Sequence, residues 1–536
     1  MEHAENQAPT WQLFWAKTSS RMDKNRVYHP LLCHMLDVAA VAALVWDNCI
    51  TPMLRKRIEC SLGIDARTQI VFFAGAHDIG KASPGFQKKN PVLSQNSGLR
   101  FSKNAQNCPH GFISAHILYE VLGSTPSVAV LAQITGGHHG VFPRSAELQM
   151  GRDILGDNDW KTARKKLLEE FANIVGFDLN REAQSRKEIT DSAVVPILAG
   201  FFSVVDWIGS DQTFFPCTAE YGTTVEINTL EYWTKAKCQA QKALDCLGWL
   251  PAVAFADEVP FNVMFKGFIP NPIQLSVIEL ASKQTSPYLM IVEAPMGQGK
   301  TEAALYAADI AMCRGNARGM YIAMPTQATC NAMFKRVLHD YLKKRGHQGK
   351  LNLQLVHGDA LLTQMAEVKE GEIQEYKPNS IGGEGDVEAQ SWFTAKKRPL
   401  LAPFGVGTID QSLLSVLQTK HWFVRLFGLA GKVVIFDEVH AYDTYMSTIL
   451  ERLLHWLAEV DCTVVLLSAT LPESKRKALT KAYSGQDEVE YRHYPRITIA
   501  RPRHYLNVQS NAMPGCTEIP MKDSYTVDIQ FAESVK

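Results

Sequence analysis

The sequence predicts a two-part fold: an all-helical first half, then an α/β lobe built on a parallel sheet. Three observations carry this. Apolar residues recur at helical spacing in the first half, at Leu31, Leu32, Met35, Leu36, Val38, Ala39 and Ala42, and again at Val194, Ile197, Leu198, Phe201, Phe202 and Val205. Beyond about position 257, short β-branched runs replace them, at Leu289–Glu293, Met320–Met324, 353–357, 433–437 and Thr463–Ser468. Longer helix-like segments, 301–313 and 329–345, lie between these runs. Strands alternating with helices imply a parallel sheet covered on both faces.

Composition narrows the class further. The chain has 536 residues, with 55 Lys+Arg against 55 Asp+Glu and a formal net charge of zero. Its length allows about three to four domain equivalents. With 46% hydrophobic and 21% charged residues it is globular, not disordered, collagenous or coiled-coil. Zero net charge excludes a polycation held on nucleic acid by bulk charge, but not local basic surfaces. The polar start MEHAENQAP does not match a signal or transit peptide. The longest apolar stretches, 38–46 and 193–205, fall short of the ~20 residues of a membrane span, so no membrane partner is expected. The 11 cysteines are scattered without a CxxC, which points to reduced thiols and a cytoplasmic protein. No repeat suggests a solenoid. The acidic stretch 367–390 reads as an exposed insertion.

The first half holds histidines and acids in distinctive settings: His34 in LLCHMLD, His77 and Asp78 in AHDIGK, His110 in PHGF, His138 and His139 in GHHG, and Asp206 in VVDWIGSD. Imidazoles and carboxylates suit divalent transition metals. A metal pair ~3.5–4 Å apart activates water and stabilises a leaving oxygen in phosphodiester cleavage. Singly, each residue is as readily a core histidine or a hydrogen-bonded acid. The ordered set resembles the HD phosphohydrolase superfamily, in its two-metal nuclease branch. That resemblance implies two divalent transition-metal ions. One would take His34, His77, Asp78 and Asp206; the other would share Asp78 and add His110, His138 and His139. Lys81 and Ser210 would lie nearby, with His77, Asp78 and Lys81 in catalytic roles. Between 81 and 110 stand Lys81, Lys88, Lys89, Arg100 and Lys103 without an acid, a phosphate-binding surface or a solvated loop.

The second half carries a nucleotide signature. APMGQGKT, 294–301, follows the strand-like YLMIVE and precedes a helix-like segment. It is a Walker A pattern with Ala in the usual first Gly position. Gly297 and Gly299 let backbone N–H groups curl around phosphates; Lys300 would reach the β/γ-phosphates and Thr301 would hold Mg²⁺. In VVIFDEVH an apolar strand delivers Asp437, for Mg²⁺, and Glu438, for the attacking water. LLSATLP follows, with Ser468 and Thr470 placed to link those acids to nucleic acid. The series GKT, DEVH, SAT resembles the DEAD/DExH-box helicases of superfamily two. So do MPTQAT (Thr326, Gln327), VHG at 356–358, GTIDQ (Gln411) and the adenine-reading Gln274 of PNPIQ. Loops of this kind grip sugar-phosphate without reading bases. Basic and aromatic residues at Lys396, Lys397, Arg398, Trp422, Phe423 and Arg425, and across 475–505, are further nucleic-acid surface or solvated helix faces.

An HD nuclease placed before a DExH-box lobe resembles the CRISPR-associated nuclease-helicases of type I systems, with LxxHxLDVAAV, HDIGK, GHHG, DWIGS, EAPMGQGKTEAAL and DEVHAYD all in order. The resemblance implies a RecA-like lobe, ATP with Mg²⁺, and recruitment by an RNA-guided surveillance complex to cut single-stranded DNA. It divides the chain at 1–255 (nuclease), 256–505 (first helicase lobe) and 506–536 (a segment leading toward a second lobe). No Q-x-x-G-R-x-x-R pattern follows SATLP, so the expectation is either a truncated or interrupted member, or one part of a split enzyme with a separate second lobe as partner, and in each case incomplete motor activity. Two rival readings are a phosphohydrolase of small nucleotides with a regulatory nucleotide-binding half, and a non-catalytic DNA- or complex-binding remnant.

Overall fold

The structure is a computed structural model. It describes residues 9–505 apart from 20–26, 64, 96, 102–105, 124, 181–187, 222–225, 251–254, 256, 266, 346–350, 357–386, 389–397 and 488–492, together with 515–518. The VHG motif beyond Val356, nearly all of the acidic stretch, and Lys103, Lys396 and Lys397 lie outside the described residues.

The first half is helical around one buried rod, Leu31–Cys49, which packs against Ala66–Gly75, Val194–Gly209 and Thr229–Cys246. Sixteen of its residues are buried, because apolar side chains cover nearly its whole circumference. By length and composition this helix is apolar enough to cross a membrane, a point the shorter stretch 38–46 understated. Here 83% of its apolar window is buried in the core. The half is also not purely helical. Strands β1 (Trp15–Thr18), β2 (Val27–Pro30) and β3 (Ala219–Glu220) form a small antiparallel sheet over Trp15, Tyr28, Leu93 and Ala219. Strands of four residues or fewer are too short to show a period of two, so the sequence concealed them.

The second half is one sheet. Its strands are β4 (Leu289–Glu293), β5 (Met320–Met324), β6 (Leu351–Val356), β7 (Val387–Glu388), β8 (Phe404–Thr408), β9 (Val433–Phe436), β10 (Thr463–Ser468), β11 (Arg496–Ala500) and β12 (Gly515–Glu518), in the order β12-β11-β4-β10-β9-β5-β8-β6-β7. Strands β4 to β10 are mutually parallel; β11 runs antiparallel to β4 and β12 to β11. Arg496 of β11 pairs with Glu293 of β4 through two bonds of 2.7 and 2.8 Å, both side chains being buried.

Strand β8 lies between β5 and β6, yet its sequence, FGVGT, reads as a loop. Its glycines admit Tyr321: a Cβ at Gly405 would stand 3.0 Å from the ring, and one at Gly407 2.5 Å from the hydroxyl.

Alternate strand residues enter different cores, as the pleat requires. Met290, Val292, Val465 and Leu467 face the helices Pro272–Ser282 and Lys300–Cys313. Leu289, Ile291, Val464 and Leu466 join a cluster that continues through Trp422–Leu429 and Thr444–Glu459 into the helical half. The two halves therefore share a hydrophobic core. Arg57 binds Asp191 within the helical half at 2.6 Å and reaches Glu459 across the seam at 2.5 Å.

Candidate metal and nucleotide centres

The helical half brings all seven of its predicted ligands to one place. His34 comes from the central helix, His77 and Asp78 from the tight turn Ala76–Lys81, and His110 from the first position of His110–Leu122. His138 and His139 follow Pro126–Gly136, and Asp206 sits in the last turn of Val194–Gly209. Asp78 is central. Its Oδ2 lies 3.0 Å from His34 Nε2 and 3.3 Å from His77 Nε2; its Oδ1 lies 3.1 Å from His110 Nε2 and 3.8 Å from His138 Nε2. Asp206 Oδ1 approaches His77 Nε2 at 3.2 Å and accepts from Ser210 Oγ at 2.8 Å. Lys81 Nζ stands 2.6 Å from Asp78. His139 Nε2 and His110 Nε2 are 2.8 Å apart.

The donor set fits divalent cations. Three triads each have their ligand atoms within 4.8 Å of one another: His34, His77 and Asp206; His77, Asp78 and His138; His110, His138 and His139. His77 Nδ1 is held by the Ala74 carbonyl at 2.9 Å, and His138 Nδ1 by the Thr135 carbonyl at 2.7 Å. Those bonds aim each Nε2 into the cluster, as metal ligands are aimed. Both Nε2 atoms and Asp78 Oδ1 are buried without a hydrogen-bond partner. These atoms face one another across the cluster without a directed hydrogen bond, an arrangement that a cation between them would satisfy.

The electrostatics are those of a crowded charge cluster. Burial disfavours a charged His77, but Asp78 and Asp206 outweigh it and raise its pKa to about 10. Burial would raise the Asp78 carboxyl; His77, Lys81 and His110 overcome that and hold it well below the usual range. Burial, then the Lys17 charge, pushes the His34 pKa well below its usual value; burial, then His77, does the same for His138. Lys17 was not anticipated. Its Nζ donates to the Gly209 carbonyl at 3.1 Å, beside Asp206. Only tertiary folding brings β1 there, so no local signal marks it.

The nucleotide signature forms a cleft of about 560 Å³ at the carboxyl edge of the sheet, where ligands of such sheets bind. β4 leads into the 294–299 loop, and Lys300–Cys313 begins directly after it. Gly297 (φ 76°) and Gly299 (φ 65°) take the left-handed conformation that glycine allows. Lys300 Nζ donates to the carbonyls of Ala294 and Pro295 at 2.7 and 2.9 Å. Asp437 and Glu438 leave the end of β9, Glu438 at φ 53°, an uncommon conformation for a side chain of that size. Burial, with Glu438 beside it, raises the Asp437 pKa. His440 Nδ1 meets Ser468 Oγ and the Ala469 N–H, each at 3.4 Å, joining DEVH to SAT.

Gln274 lines the cleft, but its amide is already engaged. Its Oε1 accepts from Asn271 N at 3.0 Å and its Nε2 donates to Gly299 O at 3.1 Å. Asn271 completes this capping box, which the N-P-I-Q spacing could have revealed. Thr326 caps Gln327–Arg336 just beyond β5, Gln411 lies in the short helix after β8, and Ser468 Oγ donates to Thr470 O at 2.9 Å. All of these occupy the same sheet edge as the cleft.

Fold and centres together define a class: a helical histidine–aspartate metal-type domain packed on a RecA-like P-loop lobe. Residues 15–215 match the family model "Cas3, HD domain". The chain is 39% identical over 524 residues to the CRISPR-associated endonuclease/helicase Cas3 of Thermus thermophilus, covering 94% of this chain and 54% of that one. It superposes on T. fusca Cas3 crystallised with ADP at TM-score 0.74 and 30% identity, over 92% of this chain and 55% of that one. It also matches a chain of a CRISPR RNA-guided surveillance complex, pre-nicking, at TM-score 0.64 and 28% identity, over 94% and 53%. Residues 15–215 thus fall in the Cas3 HD-domain family, and the chain is similar to Cas3 nuclease/helicases over most of its length. It spans about half the length of the curated relatives it matches.

Proposed function

We propose that this chain is a metal-dependent nuclease of single-stranded DNA coupled to an ATP-binding helicase lobe, acting in the cytoplasm in CRISPR defence. The observation that carries the reading is Asp78, whose two oxygens face two separate groups of imidazoles. In this reading residues 1–255 are the nuclease domain, 256–505 the first helicase lobe, and 506–536 lead beyond it.

Two divalent ions would be held by His34, His77, Asp78 and Asp206, and by Asp78, His110, His138 and His139. Such ions activate water and stabilise the leaving oxygen of a phosphodiester. The chain's own residues do the rest. The Ala74 and Thr135 carbonyls fix the tautomers of His77 and His138. Lys81, already beside Asp78, offers its ammonium to a non-bridging phosphate oxygen.

In the cleft, Lys300 would exchange its two carbonyl partners for phosphate oxygens of ATP. Thr301 and Asp437 would hold Mg²⁺, and Glu438 would orient water. Gln274 holds the Gly299 turn and offers its outer face to the base. Thr326, Gln327, Gln411, Ser468 and Thr470 grip the DNA backbone along the sheet edge. Recruitment by an RNA-guided surveillance complex is supported by the likeness to a chain of such a complex.

The test is cleavage of circular single-stranded DNA with divalent ions. The intact chain is expected to nick it; His77→Ala and Asp78→Ala are expected to abolish nicking. Phosphate release from mononucleotides without DNA cutting would overturn the reading in favour of a small-nucleotide phosphohydrolase.

A further inference from the structure

The histidine turn of the helical centre is in contact with the sheet lobe. Gly140 N donates to Gly137 O at 2.8 Å, closing a turn with His138 and His139 at its middle. Gly140 adopts φ 90°, and a Cβ there would stand 2.8 Å from His421 Cδ2 and 2.9 Å from its Nε2. The imidazole edge of His421 therefore lies directly on the glycine. His421 belongs to the lobe, one residue before the helix Trp422–Leu429. It is buried, and is itself left-handed at φ 62°.

The same ring meets the second ligand-bearing element. Its centroid is 5.6 Å from that of Trp207, which directly follows Asp206. That helix reaches the turn a second time, through Ser203 Oγ donating to His138 O at 2.8 Å. Behind His421 the packing is tight: a Cβ on Gly200 would fall 2.6 Å from Phe423 O and 2.4 Å from Phe427 Cβ. A non-glycine residue pays a steric cost for a left-handed conformation, and persists there only when its surroundings over-determine it.

We propose that His421 is a positioning residue of the nuclease centre, supplied by the sheet lobe, which sets the spacing between the His138–His139 turn and the Asp206 helix. The inference rests on the metal-centre reading above. His421 holds no cation. It wedges the two elements whose ligands must meet within a few tenths of an ångström for a cation to be held tightly. The centre is then completed across the seam, and metal affinity depends on a residue of the lobe that carries the P-loop.

The experiment titrates Mn²⁺ into the full chain by calorimetry, with MgATP affinity and the thermal midpoint measured in parallel. His421→Asn keeps a residue that tolerates the left-handed conformation and removes the ring. Mn²⁺ affinity is expected to fall about tenfold, as for other outer-shell supports, with MgATP affinity unchanged. If the Asn variant does not fold, His421→Gln is measured in its place. Arg57→Ala loosens the seam elsewhere and is expected to lower the midpoint while leaving Mn²⁺ affinity alone. Equal Mn²⁺ affinity in His421→Asn and the unchanged chain overturns this inference only. An equal loss in Arg57→Ala also overturns it, because any loosening would then suffice. Absence of Mn²⁺ binding by the unchanged chain, or its survival in Asp78→Ala, overturns the metal-centre reading as well.

Discussion

The helical centre takes its polar atoms from side chains, the P-loop cleft mainly from backbone. In the first, seven candidate ligand residues from five elements converge, and five of them are buried. In the second, one strand–loop–helix stretch supplies the glycine turn, the lysine and the hydroxyl, and the cleft is open at the sheet edge. The difference teaches where each is vulnerable. A cluster of convergent side chains fails when one shared ligand is lost. A backbone cradle survives most side-chain changes and depends on a few conformations.

The strongest way to break the comparison is Asp78→Asn, which keeps the shape and removes the charge facing both imidazole groups. Nicking is expected to fall below detection and Mn²⁺ affinity at least about 100-fold, read by calorimetry, because one charged ligand serves both groups. MgATP affinity is expected to stay within about twofold, since the centres share no ligand. A loss of both would mean that they are one site in energetic terms. The mirror experiment is Lys300→Ala. It removes one charge-assisted contact, worth about 1.5–3 kcal/mol, so MgATP affinity is expected to drop about 10- to 100-fold. Mn²⁺ affinity and cleavage of free single-stranded DNA are expected to remain. Fluorescent nucleotide displacement reads the first, and the nicking assay the second.

The same difference decided what was legible beforehand. The strands at 289–293, 320–324 and 463–468 were readable because every residue is buried and turn residues bound them. β8 was not, because the glycines that accommodate Tyr321 look like a loop. β11 was not, because it folds back antiparallel on β4 through the long-range pair Arg496–Glu293. The P-loop was readable from one local stretch, since strand, glycines and helix must be contiguous for the backbone to cradle a phosphate. The histidine set was readable only as an order along the chain, with no single member informative. Lys17, Ser203 and His421 left no trace in the sequence. Their part lies in contacts made across 192, 65 and 281 positions, to Gly209, His138 and Gly140.

The smallest predicted effect concerns the scaffold that the two centres have in common. Arg57 lies in the helical half and forms a two-bond pair with Asp191, at 2.6 and 3.0 Å, while reaching Glu459 beyond the seam at 2.5 Å. Burial would raise the Asp191 carboxyl, but the Arg57 bond outweighs it and lowers its pKa. A carboxyl depressed on folding stabilises the folded chain above its unfolded value, about pH 4, and loses that contribution as pH falls through the folded value. Arg57→Ala is therefore expected to cost about 1–3 kcal/mol at neutral pH. The gap in thermal midpoint between the variant and the unchanged chain is expected to shrink below about pH 4. Calorimetric scans from pH 7 to pH 3 check both. Because a continuous hydrophobic cluster joins the halves, the variant is expected to shift one transition rather than detach one of two. A split endotherm would place the weak point at the seam. The helical centre and the P-loop cleft would then rest on separately folding bodies, and the contrast between them would extend from their chemistry to their stability.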